Sequence, residues 1–274
     1  MKTYAIIGSG AAGIAAIEAI RSLDQQGRIV LISEEPEGYY SRPGLAYFLT
    51  GELGERQLYP FNDSDFKRLD VERVNARVLR LQPEAHTLEL QDGDLLSYDR
   101  LLLATGARAA RLEVPGREAQ GVVKLDNISD ARRIIKLARK ARRAVVVGGG
   151  ITALEIVEGL AARKVRVHYF QRGDRYWSNV LDETESRIVE KRLVEEGVEI
   201  HHHTEMAEIL SRRGRVSAVR TADGREIKCE MVAVAVGIRP RLELAHDAGI
   251  RTDRGILVDE KLATSQPDIY AAGD

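Results

Sequence analysis

A glycine-rich turn between a short apolar strand and an apolar helix occurs twice in this chain, and no other feature constrains the fold as strongly. Near the start, Tyr4-Ala5-Ile6-Ile7 reads as a strand and Gly8-Ser9-Gly10-Ala11-Ala12-Gly13 as the turn. A helix follows from Ala11 to about Leu23, and Arg28-Ile29-Val30-Leu31-Ile32 reads as a second buried strand. Gly148 lies 140 residues after Gly8 and restarts the pattern. Ala144-Val145-Val146-Val147 is the strand, Gly148-Gly149-Gly150 the turn, Ile151 to Ala162 the helix, and Val165 to Phe170 the next strand. Alternation at this scale defines a βαβ unit with parallel strands, so the fold class is α/β with one module duplicated.

The glycine spacing has a chemical reading. In the first turn Gly8 permits a tight bend, Gly10 lets the backbone approach a pyrophosphate, and Gly13 lets helix and strand pack closely. The helix N-terminus then offers N–H groups and a favourable dipole to phosphate. Glu34, 21 residues after Gly13 and just past the second strand, can accept hydrogen bonds from a ribose. The second turn fits GxGxxA, with Gly148, Gly150, Ile151 and Ala153. Its strand ends 18 residues later at Gln171, followed by Arg172. With no carboxylate there, a 2′-phosphate meets no repulsion and an arginine can pair with it, which favours NADPH while leaving NADH open.

Between the modules, Ala76 to Thr105 reads as an antiparallel meander: residues 77–81, 87–90 and 98–103 as strands, with turns at Pro83-Glu84 and Asp92-Gly93. A similar hairpin follows the second module, Val216 to Thr221 and Ile227 to Val236. Asp126 to Ala141 reads as a helix capped by Asp126 or Ser129, its basic residues forming a solvated face. Lys+Arg 41 against Asp+Glu 42 gives a net charge of -1, so no basic surplus points to nucleic acid or an acidic membrane. No run approaches a membrane span, and the amino terminus lacks signal-peptide character, so the expected compartment is the cytoplasm. The single cysteine, Cys229, excludes an internal disulfide, a CxxC pair and a thiolate metal cluster. In His201-His202-His203 at most two imidazoles converge on a strand, and with no carboxylate or cysteine set read as completing a site, no metal is expected. No hydrolase or kinase motif occurs.

Five spaced motifs carry a family resemblance: the two glycine turns, Ala104-Thr105-Gly106, Val236-Gly237-Ile238-Arg239-Pro240, and the closing Thr264 to Asp274 stretch ending Tyr270-Ala271-Ala272-Gly273-Asp274. In this order the chain resembles the two-dinucleotide-binding flavoproteins of the pyridine nucleotide–disulfide oxidoreductase superfamily. The resemblance implies two Rossmann-like three-layer domains, each with an inserted antiparallel meander. A discontinuous FAD domain would span 1–113 and 241–274, and an NAD(P) domain 114–240. It further implies FAD held by Gly8, Gly10, Ala12, Gly13, Glu34, Val78, Ala104, Thr105, Gly106 and Asp274, the last on the ribityl chain. The nicotinamide cofactor falls to Gly148, Gly150, Ile151, Ala153, Gln171, Arg172 and Gly237. Relatives continue past this closing motif with a helix over the flavin and an interface domain; the expectation is that further residues follow Asp274 or that a partner subunit covers the flavin.

Tyr39 to Tyr47 is similar to the flavin-adjacent loop of the rubredoxin reductase, NADH oxidase and nitrite reductase branch. Where the disulfide enzymes place a redox cysteine, this chain has Pro43. The resemblance therefore implies hydride transfer from NAD(P)H to FAD, then electrons passed singly to a rubredoxin- or ferredoxin-like protein or a metal-centre domain. An oxygen-using NAD(P)H oxidase and a flavin-binding subunit of a larger electron-transfer complex are the alternatives, and oligomerisation is open. Arg42 is placed near the FAD pyrophosphate or flavin. Glu155 is placed near nicotinamide and flavin, with Tyr47 where relatives carry a lysine; a buried glutamate without that lysine would have a raised pKa. Trp177 either lines the nicotinamide pocket or packs.

Overall fold

The computed structural model describes residues 1–274. It resolves into two compact units, one of residues 1–40, 59–108 and 239–274, the other of residues 41–58 and 109–238. Each is built around a five-stranded parallel sheet.

In the first unit the strand order is Ile269–Ala271, Arg100–Leu103, Thr3–Ile7, Arg28–Ser33, Val71–Asn75. Its inner strands are covered on both faces, which is why Ala5–Ile7, Ile29–Ile32 and Leu101–Leu103 are apolar runs, while the edge strand Val71–Asn75 is largely exposed. Ile6, Ile29 and Leu31 pack with Ile14 and Ile17 of the helix Ala11–Leu23. Their neighbours Ala5, Ile7, Val30 and Ile32 point the other way, onto Leu81, Leu88, Leu90, Leu96 and Tyr98. Those residues belong to a three-stranded antiparallel sheet, Val78–Gln82, Thr87–Leu90 and Leu95–Ser97. The unit is thus helix, parallel sheet and meander in three layers. The sequence reading took 98–103 as the meander's last strand; instead Leu95–Ser97 fills that role, and Arg100–Leu103 lies parallel beside Thr3–Ile7.

The second unit repeats the plan, with strand order Glu199–His201, Arg166–Phe170, Arg143–Val147, Met231–Val234, Val122–Val123. Val145, Val147, Val232 and Val234 meet Met206, Ile209, Val216 and Val219 of a second meander. The run expected as one strand from 227 to 236 divides: Glu226–Lys228 stays antiparallel in the meander, and Met231–Val234 enters the parallel sheet. The basic helix runs Ile128–Ala138, shorter than expected, and its cap is Asn127, whose side chain accepts from the Asp130 N–H at 2.9 Å.

Residues 41–58, expected in the first unit, pack with the second. A helix, Gly44–Thr50, forms there behind Pro43 and stops at Gly51, where φ is +93°. It lies against the helix Ile151–Ala162 at close range: a Cβ on Gly159 would stand 2.6 Å from the Leu49 Cβ. Arg163, at that helix's end, donates to the Leu49 and Phe48 carbonyls at 2.7 and 3.2 Å. The sequence reading treated this segment as a loop because its apolar stretch is too short to show a helical period. No helix of the structure is long and apolar enough to cross a membrane.

Candidate cofactor-binding turns

The first glycine turn is held by close backbone packing. A Cβ on Gly8, where φ is +114°, would lie 2.0 Å from the Ala104 carbonyl oxygen, and one on Gly13 would lie 2.1 Å from the Gly8 carbonyl oxygen. Only glycine fits at either place. Gly10 is different: nothing lies within 4 Å of where its Cβ would stand. It is the N-cap of the helix Ala11–Leu23 and no side chain caps that end. The N-terminal dipole and backbone donors of a 13-residue helix are therefore open to an anion on the Gly10 side. This pattern, two glycines forced by packing and one left clear, is what a pyrophosphate cradle requires.

The surrounding residues converge on that turn. Ala104 abuts Gly8. Gly106 has φ of +66°, and its carbonyl accepts from the Arg241 N–H at 2.9 Å, while Thr105 Oγ1 donates to the Arg241 carbonyl at 3.2 Å. The closing motif returns here too: a Cβ on Gly273 would stand 3.2 Å from the Ala12 Cβ, which brings the chain carrying Asp274 to the same turn. Glu34 is exposed past the end of its strand, with Arg241 at 3.6 Å and Arg77 at 3.9 Å. Val78, next after Arg77, is partly buried against the meander core. Two residues that sequence reasoning passed over, Ser9 and Ser33, join hydroxyls at 3.0 Å and tie the turn to the end of the second strand. The serine inside a glycine fingerprint was the available signal.

The second turn repeats this arrangement. Gly148 is pressed against the Ala235 carbonyl oxygen, 2.2 Å from its would-be Cβ, and against Ala153 at 3.0 Å. Gly149 has nothing within 4 Å, and Gly150 caps the helix Ile151–Ala162 without a side-chain cap. Ala153 is fully buried and Ile151 exposed. The loop after the next strand folds back here: the Trp177 N–H donates to the Gly149 carbonyl at 3.1 Å, and its indole Nε1 lies 3.9 Å from the Gly150 Cβ position. Gln171 is buried, and neither end of its amide has a hydrogen-bond partner, nor does the buried Tyr176 hydroxyl, whose pKa is pushed up to about 12 by burial and then by Glu158 and Glu155. Arg172 is exposed. Gly237 takes φ of +121°, with open space on its Cβ side.

On the helix Ile151–Ala162, burial, and then the neighbouring Glu158, raise the Glu155 carboxyl above its ordinary value, as a glutamate without a cationic partner should behave. Tyr47, on the helix Gly44–Thr50, is exposed, and Pro43 begins that helix. Arg42 donates to the Asp126 backbone carbonyl. Cys229 sits in the meander core of the second unit, fully buried, with its thiol pushed up to about 12 by burial, so it is protonated and unreactive at neutral pH.

A family model for pyridine nucleotide–disulphide oxidoreductases matches residues 2–274, and the chain belongs to that family. It is an oxidoreductase that uses FAD and NAD(P)H. Among curated relatives, the biphenyl dioxygenase system ferredoxin–NAD(+) reductase component of Paraburkholderia xenovorans is 36% identical over 280 residues, covering 100% of this chain and 67% of that protein. The rubredoxin–NAD(+) reductase of Pseudomonas putida is 31% identical over 98% of this chain and 70% of that protein. A solved ferredoxin reductase of Rhodopseudomonas palustris superposes with a TM-score of 0.96 at 30% identity, over 100% of this chain and 68% of that one. The chain thus spans about two thirds of the length of these relatives.

Proposed function

We propose that the first unit binds FAD and residues 109–238 bind NAD(P)H, and that the protein passes electrons one at a time to a small iron–sulfur or rubredoxin-type protein in the cytoplasm. The observation that carries this is the paired construction of the two turns. Each has a glycine locked against a backbone carbonyl and another with clear space before an uncapped helix. On this reading Gly8, Gly10, Ala12 and Gly13 receive the FAD pyrophosphate, Glu34 the adenosine ribose and Asp274 the ribityl chain. Ala104, Thr105 and Gly106 line the same cofactor. Gly148, Gly150, Ile151 and Ala153 receive the nicotinamide nucleotide, with Gln171 and Arg172 at its ribose and Gly237 beside it.

When bound, the nicotinamide supplies a hydride and the flavin divides it into single electrons. The protein's share is alignment, reacting atoms roughly 3–3.5 Å apart with water kept out. No side chain need act as a nucleophile. Glu155, its carboxyl raised above the ordinary value by burial and then by Glu158, is suited to hydrogen-bond the nicotinamide carboxamide, and Arg42, Pro43 and Tyr47 belong to the flavin-facing segment of this reading. A cysteine relay has no support: Pro43 stands at the redox position and Cys229 is buried. The relatives named for ferredoxin and rubredoxin reduction support a one-electron protein acceptor.

The test is an anaerobic titration of the FAD-loaded protein with NADH and, separately, NADPH. Bleaching of the flavin absorbance by either, and its recovery on adding an oxidised ferredoxin or rubredoxin, is the expected outcome. No bleaching with either nucleotide would sink the reductase reading; bleaching that only oxygen reverses would replace the protein acceptor by an oxidase.

A further inference from the structure

The parallel pairing of Arg166–Phe170 with Glu199–His201 sets His168 opposite Glu199 and Phe170 opposite His201. Glu199 and His201, two apart on one strand, share a face, and His168 reaches the same point from the neighbouring strand. His168 Nδ1 stands 3.2 Å from His201 Nε2 and 3.3 Å from Glu199 Oε2, and His201 Nε2 stands 3.2 Å from Glu199 Oε1. The two imidazole nitrogens thus face each other, and Glu199 presents one carboxylate oxygen to each of them.

For a divalent ion with bonds of about 2.0–2.1 Å to nitrogen and oxygen, tetrahedral geometry sets ligand atoms about 3.3 Å apart. The nitrogen–nitrogen separation and each nitrogen–oxygen separation have the length of an edge of that tetrahedron. The side chains of His168 and His201 are only 13% and 11% exposed, whereas that of Glu199 is 58% exposed. Two largely dry imidazoles and a carboxylate on the solvent side give an ion both softer ligands and a path of entry. Of the cations near this group, Arg143 is engaged by Glu230 at 3.2 Å and Arg225 by Asp223 at 2.8 Å, and Arg166 stands two residues before His168 on the same strand. The expectation that no carboxylate completes a histidine site here is corrected by this geometry: Glu199 does so, with His168 in place of His203.

We propose that His168, Glu199 and His201 form a binding site for a divalent first-row transition ion of the zinc type, with three protein ligands and a water in the fourth position. The ion would fasten the edge strand Glu199–His201 to its neighbour immediately before Gln171, whose N–H donates to the His201 carbonyl at 3.0 Å.

The test is calorimetric titration of chelator-treated, FAD-loaded protein with Zn2+, with Co2+ absorption as the spectroscopic check. One equivalent should bind, and Co2+ should give the intense visible bands of a four- or five-coordinate site. Glu199→Gln, an exposed substitution that leaves the core untouched, should weaken Zn2+ at least tenfold, and His201→Gln should abolish the Co2+ bands. His203→Gln, on the exposed neighbour, should change neither. Equal Zn2+ affinity in the wild type and Glu199→Gln would overturn the site, as would Co2+ bands lost with His203→Gln and kept with His201→Gln.

Discussion

Gly10 and Gly13 stand three residues apart in one turn, yet substitution should act on them through different physics. Gly10 has φ of -79° and ψ of -173°, which any residue can adopt, and open space on its Cβ side. Gly10→Val should fold with the thermal midpoint of the flavin-free wild type but fill the space offered to a pyrophosphate. Its flavin content at a fixed FAD concentration should fall at least tenfold, a loss of about 1.4 kcal/mol in binding. Gly13→Val instead drives a side chain onto the Gly8 carbonyl, 2.1 Å from the first added atom, and should lower the midpoint before any cofactor is considered. Flavin absorbance and melting curves of the two variants separate the effects; normal flavin content in Gly10→Val would refute the assignment of the first turn. At this scale the sequence was most informative, because a glycine fingerprint is local. The spacing already separated the glycines that pack from the one left clear; what it hid was the packing partner, the carbonyls of Ala104 and Ala235 arriving from distant strands.

At the scale of elements, the helix Ile151–Ala162 carries two half-buried carboxyls, Glu155 and Glu158, both raised above the ordinary glutamate value chiefly by burial. A carboxyl raised in the folded state loses its proton first in the unfolded chain, so stability falls as pH climbs through about 4.5 toward the folded value. Glu158→Gln removes that penalty, together with the smaller push that Glu158 gives the Glu155 carboxyl, and leaves the Glu155 side chain in place. It should melt higher than the wild type at pH 7–8, with the gap shrinking to nothing below about pH 4. A gap that widened on acidification would contradict the raised pKa. The helix itself was legible end to end from its apolar period, as was Ala11–Leu23. Strand partners were not: Arg100–Leu103 and Met231–Val234 are short apolar runs, and such a run does not reveal whether it will pair antiparallel in a meander or parallel in a buried sheet.

For the molecule as a whole, the discontinuity of the chain is the feature with the sharpest consequence. Residues 41–58 leave the first unit and fold with the second, where Leu49 meets Gly159 and Arg163 binds the carbonyls of Phe48 and Leu49. In hydrogen exchange under rising urea, amides of Gly44–Thr50 should lose protection together with those of Ile151–Ala162 and not with those of Thr3–Ile7 or Arg28–Ser33. Co-exchange with the first sheet would mean that the segment belongs to the first unit after all. The sequence by itself determined the α/β class, the duplication, both glycine turns and a proline at position 43, because each is written in contiguous residues whose period or chemistry is local. Only the tertiary structure decided the home of residues 41–58, the sheet joined by each short strand, and the meeting of His168 with Glu199 and His201. Those depend on strand register and helix contact between segments more than thirty residues apart, where a single chain's pattern carries no record of the partner.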